Sequence, residues 1–220
     1  MCLSSCYIVG AGDFTGLFSP TQSDYIIAAD AGYAKLSDIG IAPDLVVGDF
    51  DSLGAAPEHH NIMLASADKD DTDIMLAVKA GLARGFKSFI IDGALGGRVD
   101  HTFANMQILK YITLNGAIAK LLGHGICITA LENCTVGFLP TASGTISIFA
   151  LDDIVKGVTL EGLKYAINDA VLTNSYPLGI SNEFTGKPAK ITVRSGVLLV
   201  IWEGGHGELV TKINITEGEL

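Results

Sequence analysis

The sequence contains few cysteines, and their spacing matches neither a common metal motif nor a disulfide framework. The four cysteines are Cys2, Cys6, Cys127 and Cys134, and no two of them form a Cys-x-x-Cys pair. This excludes the usual zinc-finger spacing and a small domain held together by several disulfides. We expect small, buried cysteine side chains in a protein of the reducing cytoplasm.

Basic residues are also scarce, and they are nowhere clustered. The chain has 14 Lys and Arg against 24 Asp and Glu, which gives a formal net charge of −10. A nucleic-acid backbone requires a basic surface, so we expect no nucleic-acid partner. A small phosphate substrate remains compatible with this charge if a divalent metal ion accompanies it.

Long uninterrupted hydrophobic runs are absent, although hydrophobic residues make up 49% of the 220 residues. A transmembrane helix requires about 20 predominantly apolar residues in succession, so we expect no membrane partner. The abundant hydrophobic residues are sufficient for a sizeable core without disulfides.

The first half of the chain alternates between short apolar runs and helical patterns. This alternation is typical of an α/β fold, in which helices cover a parallel sheet. The predicted strands are Cys6–Val9, Tyr25–Ala29, Leu45–Val47, Ser88–Ile91 and Ile118–Leu122. The predicted helices are Ala31–Ile39, Thr72–Arg84 and Asp100–Leu114, with Asp70 or Asp71 as the N-cap of the second.

The second half is rich in short β-type runs and shows little helical periodicity. Its predicted strands are Ile126–Leu131, Thr145–Ala150, Ile154–Leu160, Ala189–Val193, Val197–Trp202 and Leu209–Ile215. Turn residues separate these runs, which indicates an antiparallel β-sandwich. We therefore predict two domains, an α/β domain over residues 1–122 and a β-sandwich over residues 123–220.

Polar clusters directly follow the predicted strands of the first half. They are Gly10-Ala11-Gly12-Asp13, Asp30-Ala31-Gly32, Gly48-Asp49-Phe50-Asp51-Ser52 and the segment from Asp92 to His101. In a parallel sheet these clusters converge on one edge, where ligands bind, and Asp73 at a helix start can join them. We predict a nucleotide and metal site at this edge.

The aspartates in these clusters predict a metal ion. Two carboxylates 4 Å apart repel each other by on the order of 1 to 4 kcal/mol, depending on the effective dielectric constant. A cation relieves this repulsion, and ligands that are all hard oxygen donors favour Mg²⁺. Substrate phosphates would then complete the coordination of the metal.

The segment before the third helix has the residues that a phosphate group needs. Gly96 and Gly97 let backbone N–H groups approach phosphate oxygens closely, and Arg98 offers a planar guanidinium. His101 and Asn105 are four residues apart, so they share a helix face that can reach a nucleotide.

Each of these residues also has an ordinary structural explanation. Gly10-x-Gly12 alone is equally typical of a β-turn, and Asp30 can simply cap the helix that follows it. Such explanations account for single residues, but they do not predict aspartates after successive strands.

Together, these motifs resemble the thiamine pyrophosphokinase family. The matching segments of the first half are Asp30-Ala31-Gly32, Ala42-Pro43-Asp44-Leu45-Val46-Val47-Gly48-Asp49-Phe50-Asp51-Ser52, Asp70-Asp71-Thr72-Asp73 and Gly96-Gly97-Arg98-Val99-Asp100-His101 with Asn105. In the second half, Gly162-Leu163-Lys164-Tyr165 and Gly179-Ile180-Ser181-Asn182-Glu183-Phe184 are similar to the segments on the thiamine side. Ala31 stands where the family commonly has glycine.

The resemblance implies a Mg²⁺-dependent homodimer that transfers the pyrophosphoryl group of ATP to the hydroxyl of thiamine and releases AMP. The implied metal and phosphate ligands are Asp30, Asp49, Asp51 and Asp73. The implied nucleotide-binding residues are Lys69, Thr72, Arg98, Asp100, His101 and Asn105, to which we add the strand-end residues Gly10, Gly12, Asp13, Gly32 and Gly97. Tyr165, Ser181 and Asn182 are expected to bind thiamine.

We expect the catalytic residues to be Asp49, Asp51, Asp73, Arg98 and Asp100, with either Asp73 or Asp100 orienting the thiamine hydroxyl. Two other functions fit the same fold. One is a diphosphokinase for another alcohol such as a pterin, and the other is a non-catalytic nucleotide or metal sensor. The intact set of aspartates with Arg98 disfavours the sensor, and the Tyr165 and Ser181-Asn182 segments favour thiamine over a pterin.

Overall fold

A computed structural model describes residues 4–17, 19–49, 59–64 and 71–204, and the backbone of residues 209–214. The fold is mixed α/β, rich in strands, with three helices in these ranges. The chain divides into two compact units, Met1–His124 and Gly125–Leu220. No helix in the described ranges is both long and apolar enough to cross a bilayer.

A parallel sheet forms the centre of the first unit. Its strands are β1 (Cys6–Val9), β2 (Tyr25–Ala29), β3 (Leu45–Gly48), β4 (Ile62–Leu64), β5 (Ser88–Asp92) and β6 (Ile118–Gly123). Their order across the sheet is β6-β5-β1-β2-β3-β4, and every neighbouring pair is parallel. The five strands predicted from the sequence are confirmed, and β4 was missed because it is only three residues long and partly exposed.

Three helices connect strands of this sheet. They are α1 (Gly32–Asp38), α2 (Asp73–Ala83) and α3 (Val99–Leu114), close to the predicted ranges. The predicted N-cap of α2 was wrong. Thr72 caps this helix instead, because its side-chain oxygen accepts a hydrogen bond from the Met75 N–H at 3.2 Å.

The core beside β2 shows why α1 packs where it does. Leu36 of α1 is fully buried with apolar side chains of β1, β2 and β3, namely Val9, Ile26, Ala28 and Val46. Gly32, at the start of α1, lies against the end of β1 so closely that a Cβ atom there would overlap the Val9 carbonyl oxygen. This close approach brings α1 next to the loop that follows β1.

The second unit is built from antiparallel strands. They are β7 (Ile126–Phe138), β8 (Thr145–Ala150), β9 (Ile154–Glu161), β10 (Ile167–Thr173), β11 (Asn182–Glu183), β12 (Ala189–Glu203) and β13 (Leu209–Asn214). The long strand β12 pairs with β7 along its length, with β9 near its start and with β8 near its end. Antiparallel pairing was predicted for this half, although β10 and β11 were not.

One prediction for the second unit was wrong because a bulge does not end a strand. The sequence predicted separate strands Ala189–Val193 and Val197–Trp202, whereas β12 is continuous. The register against β7 shifts between Val193 and Val197, and Gly196 has a φ of 86° at this bulge. The Val197 N–H donates to Asp152 Oδ2 at 2.7 Å, so a side chain replaces the missing strand partner.

Candidate functional site

A cavity of about 410 Å³ lies in the first unit where the loops after β1, β2 and β5 meet the starts of α2 and α3. Many of the predicted site residues line it, namely Gly10, Gly12, Asp30, Thr72, Asp73, Gly97, Arg98, His101 and Asn105. Ala11, Ala29, Ile74, Gly93, Ala94 and Gly96 complete the lining. Residues far apart in the sequence are therefore gathered at one edge of the parallel sheet.

The loop after β1 is hydrogen-bonded to the loop after β5, and this pairing forms one wall of the cavity. The Gly10 N–H donates to the Asp92 carbonyl at 2.9 Å, the Gly12 N–H to the Gly93 carbonyl at 2.6 Å, and the Asp13 N–H to the Leu95 carbonyl at 2.8 Å. These three N–H groups are therefore already hydrogen-bonded to the loop after β5. Gly10 and Gly12 line the cavity, whereas the exposed Asp13 is not among its lining residues.

The two loops can approach this closely because both lack side chains at the contact. A Cβ atom at Gly10 would lie 2.7 Å from the Gly93 carbonyl oxygen and 2.6 Å from Ile74 Cδ1. Gly93 has a φ of 66°, a conformation that residues with a side chain rarely adopt. Packing between the two loops is therefore sufficient to explain the glycines of the β1 loop.

Asp92 holds this wall from inside and was not predicted as a site residue. It is completely buried, and its carboxylate accepts hydrogen bonds from the Thr15 N–H (3.0 Å), the Thr15 hydroxyl (2.7 Å) and the Gly93 N–H (2.7 Å). A charged residue directly after the apolar run Ser88–Ile91 was the sequence signal that could have identified it.

Two aspartates, Asp30 and Asp73, line the cavity. Asp30 follows β2 with a φ of 50°, and its N–H donates to the Val47 carbonyl at 2.8 Å. This left-handed conformation is uncommon for a residue other than glycine and is typical of functional sites. Asp73 is in the first turn of α2, directly after the capping residue Thr72.

Of the remaining predicted metal ligands, Asp49 is not on the cavity lining. Asp49 follows β3, the strand next to β2, and is half-buried. Asp51 and the predicted nucleotide-binding residue Lys69 lie outside the described residues. Within the described ranges no three His, Cys, Asp or Glu side chains are grouped as a metal site.

The donor chemistry of this edge nevertheless fits Mg²⁺. The carboxylates of Asp30 and Asp73 are hard oxygen ligands, and Asp49 follows the adjacent strand. Mg²⁺ commonly takes only one or two protein carboxylates and keeps waters and substrate phosphates as its other ligands. A cluster of three acids is not required for such a site.

The N-terminus of α3 contributes the basic part of the cavity. Gly97 has a φ of 60° and faces open space, since a Cβ atom built there would meet no atom within 4 Å. Arg98 is the N-cap residue of α3, and the helix dipole places partial positive charge at this end. This turn is therefore suited to an anionic ligand.

Arg98 is paired with Asp100 through two hydrogen bonds. Its Nε and Nη2 atoms donate to the two carboxylate oxygens of Asp100 at 3.2 and 2.6 Å. Hydrogen bonding to Arg98 lowers the pKa of Asp100, and the same contact raises the pKa of Arg98. Both side chains are exposed, and only Arg98 lines the cavity, so Asp100 orients the guanidinium.

His101 and Asn105 of α3 both line the cavity, but they differ in burial. His101 is exposed, whereas Asn105 is only 5% exposed and donates from Nδ2 to the Ala94 carbonyl at 2.6 Å. Asn105 therefore anchors α3 to the loop after β5. Gly32, predicted to bind nucleotide, is buried against β1 and is not a lining residue.

The thiamine-side residues predicted from the resemblance lie in the second unit. Asn182 is 3% exposed, and its Oδ1 accepts hydrogen bonds from the N–H groups of Tyr165 (3.0 Å) and Glu183 (2.9 Å). Its Nδ2 donates to the Tyr165 carbonyl at 2.7 Å. Asn182 therefore fixes the backbone of the segment that carries Tyr165.

Tyr165 itself is 57% exposed, and the ammonium of Lys164 lies 5.4 Å from the centre of its ring. Ser181, which directly precedes Asn182, is exposed and has a φ of 57°. Its N–H donates to the Ser147 hydroxyl at 3.0 Å. Lys164 also forms an ion pair with Glu183 at 2.6 Å, and this hydrogen bond raises the pKa of Lys164. The ring of Tyr165 thus already lies close to a cation.

Comparison with known proteins assigns the chain to a family. Residues 20–119 match the catalytic domain of thiamin pyrophosphokinase, and residues 126–198 match the vitamin B1 binding domain of thiamin pyrophosphokinase. The chain belongs to the thiamin pyrophosphokinase family. The resemblance inferred from the sequence motifs is confirmed, and the members of this family are enzymes.

Individual relatives agree with this assignment. The chain is 29% identical over 192 residues to thiamine pyrophosphokinase of Bacillus subtilis, covering 80% of this chain and 85% of the relative. A crystal structure of the Bacillus subtilis protein superposes with a TM-score of 0.81 at 26% identity, covering 91% of this chain and 99% of that chain. The thiamin pyrophosphokinase from Candida albicans, at 15% identity and a TM-score of 0.74, shares the fold over 91% of this chain and 89% of its own.

Proposed function

We propose that this chain transfers the pyrophosphoryl group of ATP to the hydroxyl of thiamine and releases thiamine diphosphate and AMP. The observation that carries this proposal is the single cavity where Asp30, Asp73, Arg98 and His101 meet. Phosphoryl-type transfer depends mainly on positioning and on stabilisation of negative charge, and these residue types supply both. Membership of the thiamin pyrophosphokinase family makes thiamine the acceptor of choice over a pterin.

The two halves of the chain have different roles in this proposal. Residues 1–122 form a Rossmann-like catalytic domain that binds nucleotide and metal. Residues 123–220 form a β-sandwich domain for thiamine binding and dimerisation. The parallel sheet of the first unit and the antiparallel ladders of the second support this division.

The ATP phosphates are placed at the N-terminus of α3. Gly97 leaves open space for a phosphate oxygen, and the guanidinium of Arg98 keeps N–H donors beyond the two that bond to Asp100, which can reach the phosphate. His101, Thr72 and Asn105 border the same space and are assigned to the nucleotide. The β1 loop contributes to the nucleotide site indirectly. It forms the cavity wall together with the β5 loop through Gly10, Gly12 and Asp13.

Mg²⁺ would be held by Asp30 and Asp73, with Asp49 and Asp51 after the neighbouring strand. When bound, the ion neutralises negative charge on the phosphate oxygens. In an acidic chain with few basic residues, these aspartates recruit a positive charge that the protein itself lacks.

In the reaction, the thiamine hydroxyl oxygen forms a bond to the β-phosphorus of ATP while the bond from that phosphorus to the AMP oxygen breaks. Arg98 stabilises the negative charge that develops on the transferred group. We assign the orientation of the hydroxyl, and acceptance of its proton, to Asp73 rather than Asp100. Asp73 lines the cavity, whereas Asp100 is engaged with Arg98.

Thiamine carries a permanent positive ring charge, and an exposed aromatic ring suits such a cation. Tyr165 offers this ring, and the charge of the nearby Lys164 is balanced by its ion pair with Glu183. Ser181, directly before Asn182, is exposed and offers a hydroxyl to the ligand. Asn182 holds the Tyr165 segment in place through its three backbone hydrogen bonds.

We further propose that the enzyme acts as a homodimer whose active sites form where two subunits meet. Large exposed apolar side chains in both units support this arrangement, since Val99 is 83% exposed on α3 and Val171 is 58% exposed on β10. Analytical ultracentrifugation at micromolar concentration should give a dimer, and a monomer alone would argue against shared sites.

The activity is tested by incubating the protein with ATP, Mg²⁺ and a panel of alcohols that includes thiamine and a pterin. We expect AMP to form only with thiamine, in equal amount to thiamine diphosphate. Formation of ADP, or of AMP regardless of the acceptor, would rule out the proposed reaction.

A pair of neighbouring variants serves as the internal control for this assay. Asp73→Asn should reduce AMP formation by at least about 100-fold, because it removes a carboxylate from the cavity. Asp71→Asn should retain most activity, because Asp71 pairs with Lys79 and does not line the cavity. Equal effects of both substitutions would contradict the role of Asp73.

A further inference from the structure

Lys35 of α1 contacts the loop after β1, which forms part of the cavity wall. Nothing in the sequence distinguishes it from an ordinary lysine of a short helix. Its ammonium nitrogen donates to the Gly10 carbonyl at 3.1 Å and also to the Gly12 carbonyl. The side chain is partly buried. One cation therefore joins two carbonyl groups of the same turn.

These two contacts complement the pairing of the loops. The N–H groups of Gly10 and Gly12 donate to carbonyls of the β5 loop, so the carbonyls of the same two residues need donors from elsewhere. Lys35 supplies both from the side of α1. Gly10 and Gly12 are thus each held from two directions, by the β5 loop and by a lysine.

The charges around Lys35 explain why a cation is retained in this partly buried position. Burial lowers the pKa of Lys35, while the nearby carboxylates of Asp92 and Asp13 favour its charged form. Asp92 is the buried residue that holds Thr15, so the loop from Gly10 to Thr15 is fixed by a negative group on one side and a positive group on the other.

The position of α1 connects Lys35 to the acidic side of the cavity. Asp30 directly precedes this helix, and its carbonyl accepts a hydrogen bond from the Tyr33 N–H at 3.1 Å. Gly32 brings the helix against the end of β1, and Lys35 lies one turn further on. The same short helix therefore holds both the turn of Asp30 and the loop after β1.

We propose that Lys35 is a positioning residue for the nucleotide site, because its ammonium holds the Gly10–Gly12 turn in the shape that forms the cavity wall. Lys35 does not line the cavity and is not expected to touch the substrate. Its positive charge also offsets two carbonyl dipoles that would otherwise oppose an anionic nucleotide. This proposal rests on the proposed function, since it assigns the cavity to ATP.

The test compares Lys35→Met, which keeps the length of the side chain without its charge, with Lys35→Arg, which keeps a cationic donor. We expect Lys35→Met to raise the KM for ATP by about tenfold with a small change in the KM for thiamine, and Lys35→Arg to restore most of the loss. Lys156→Met, an exposed substitution on β9, should leave both constants unchanged. Thermal unfolding of all variants is followed in parallel.

An unchanged KM for ATP in Lys35→Met, or equal increases for ATP and thiamine, would overturn the proposal. If Lys35→Met does not fold, Lys35→Gln is measured in its place, and failure of Lys35→Arg to improve on it would equally reject the role. Direct titration of each protein with ATP and Mg²⁺ separates this inference from the proposed function. Weakened ATP binding in a protein that does not use thiamine would support Lys35 and reject the kinase activity.

Discussion

The polar residues of the two units are arranged in opposite ways. In the first unit, Asp30, Asp73 and Arg98 come from different segments and surround an open cavity. In the second unit, Asn182 is buried and its oxygen and nitrogen atoms bond to the backbone of Tyr165 and Glu183. The first arrangement lines a cavity with polar groups, whereas the second uses a polar group to hold an exposed ring.

This difference shows that a residue of a family motif can stabilise the backbone instead of contacting a ligand. Asn182 and Arg98 both belong to segments that resemble the family, but Arg98 lines the cavity of the first unit whereas Asn182 bonds to backbone. The comparison predicts that substitutions in the first unit reduce catalysis without loss of stability. In the second unit, substitution of Asn182 should lower stability, whereas substitution of Tyr165 should weaken the affinity for thiamine.

The largest effect is expected at Arg98. Arg98→Ala should reduce the rate of AMP formation by about 100-fold or more, because it removes two donors to the transferred group. The unfolding temperature should change little, since the side chain is exposed. Initial rates with saturating ATP and thiamine measure the effect.

Arg84→Ala is the control for this measurement. Its guanidinium lies over the Tyr25 ring at 5.1 Å and is not part of the cavity lining. A comparable loss of rate in both variants would mean that charge in general, rather than the position of Arg98, supports activity.

The next effect is expected at Asn182 and concerns stability. Asn182→Ala should lower the free energy of unfolding by about 2 kcal/mol, because three partly buried hydrogen bonds to the backbone of Tyr165 and Glu183 are lost. Urea denaturation measures this change. Asn174→Ala is the control, since Asn174 makes an exposed hydrogen bond to Asp153 at 2.9 Å. Full stability of Asn182→Ala would show that Asn182 is not a structural anchor.

The smallest effect is expected at Tyr165. Tyr165→Ala should raise the KM for thiamine roughly threefold to fivefold, as expected for loss of a partly exposed cation–π contact, and leave the KM for ATP unchanged. Tyr165→Phe should retain affinity because it keeps the ring. Tyr176→Ala, which removes another exposed ring, is the matched control. No change in the thiamine KM of Tyr165→Ala would exclude a role for its ring.

The sequence predicted which residues of the first unit gather at one edge of the sheet, because parallel strands place their carboxyl ends together. Asp30 and Asp73, which come from segments far apart along the chain, could therefore be assigned to one edge before any coordinates were known. The same reasoning could not assign Asn182, because successive turns of an antiparallel sheet lie at opposite ends of the strands. The resemblance to a family supplied that residue, and the structure supplied its hydrogen bonds.

The residues that were missed act through contacts between distant loops. Lys35 resembles an ordinary helix lysine, and its target carbonyls become visible only when the β1 loop lies beside α1. Asp92 has three hydrogen bonds from Thr15 and Gly93, but nothing near it in sequence reveals Thr15 as its partner. Neither contact follows from periodicity or motif spacing.

The paired loops after β1 and β5 make one side of the cavity a composite of two distant stretches of chain. Neither stretch retains this shape by itself, because three N–H groups of one are bound to carbonyls of the other. An insertion in either loop would alter both at once. Proteins with this wall are therefore expected to vary in ligand preference through the rest of the cavity lining and to keep the two loops at constant length.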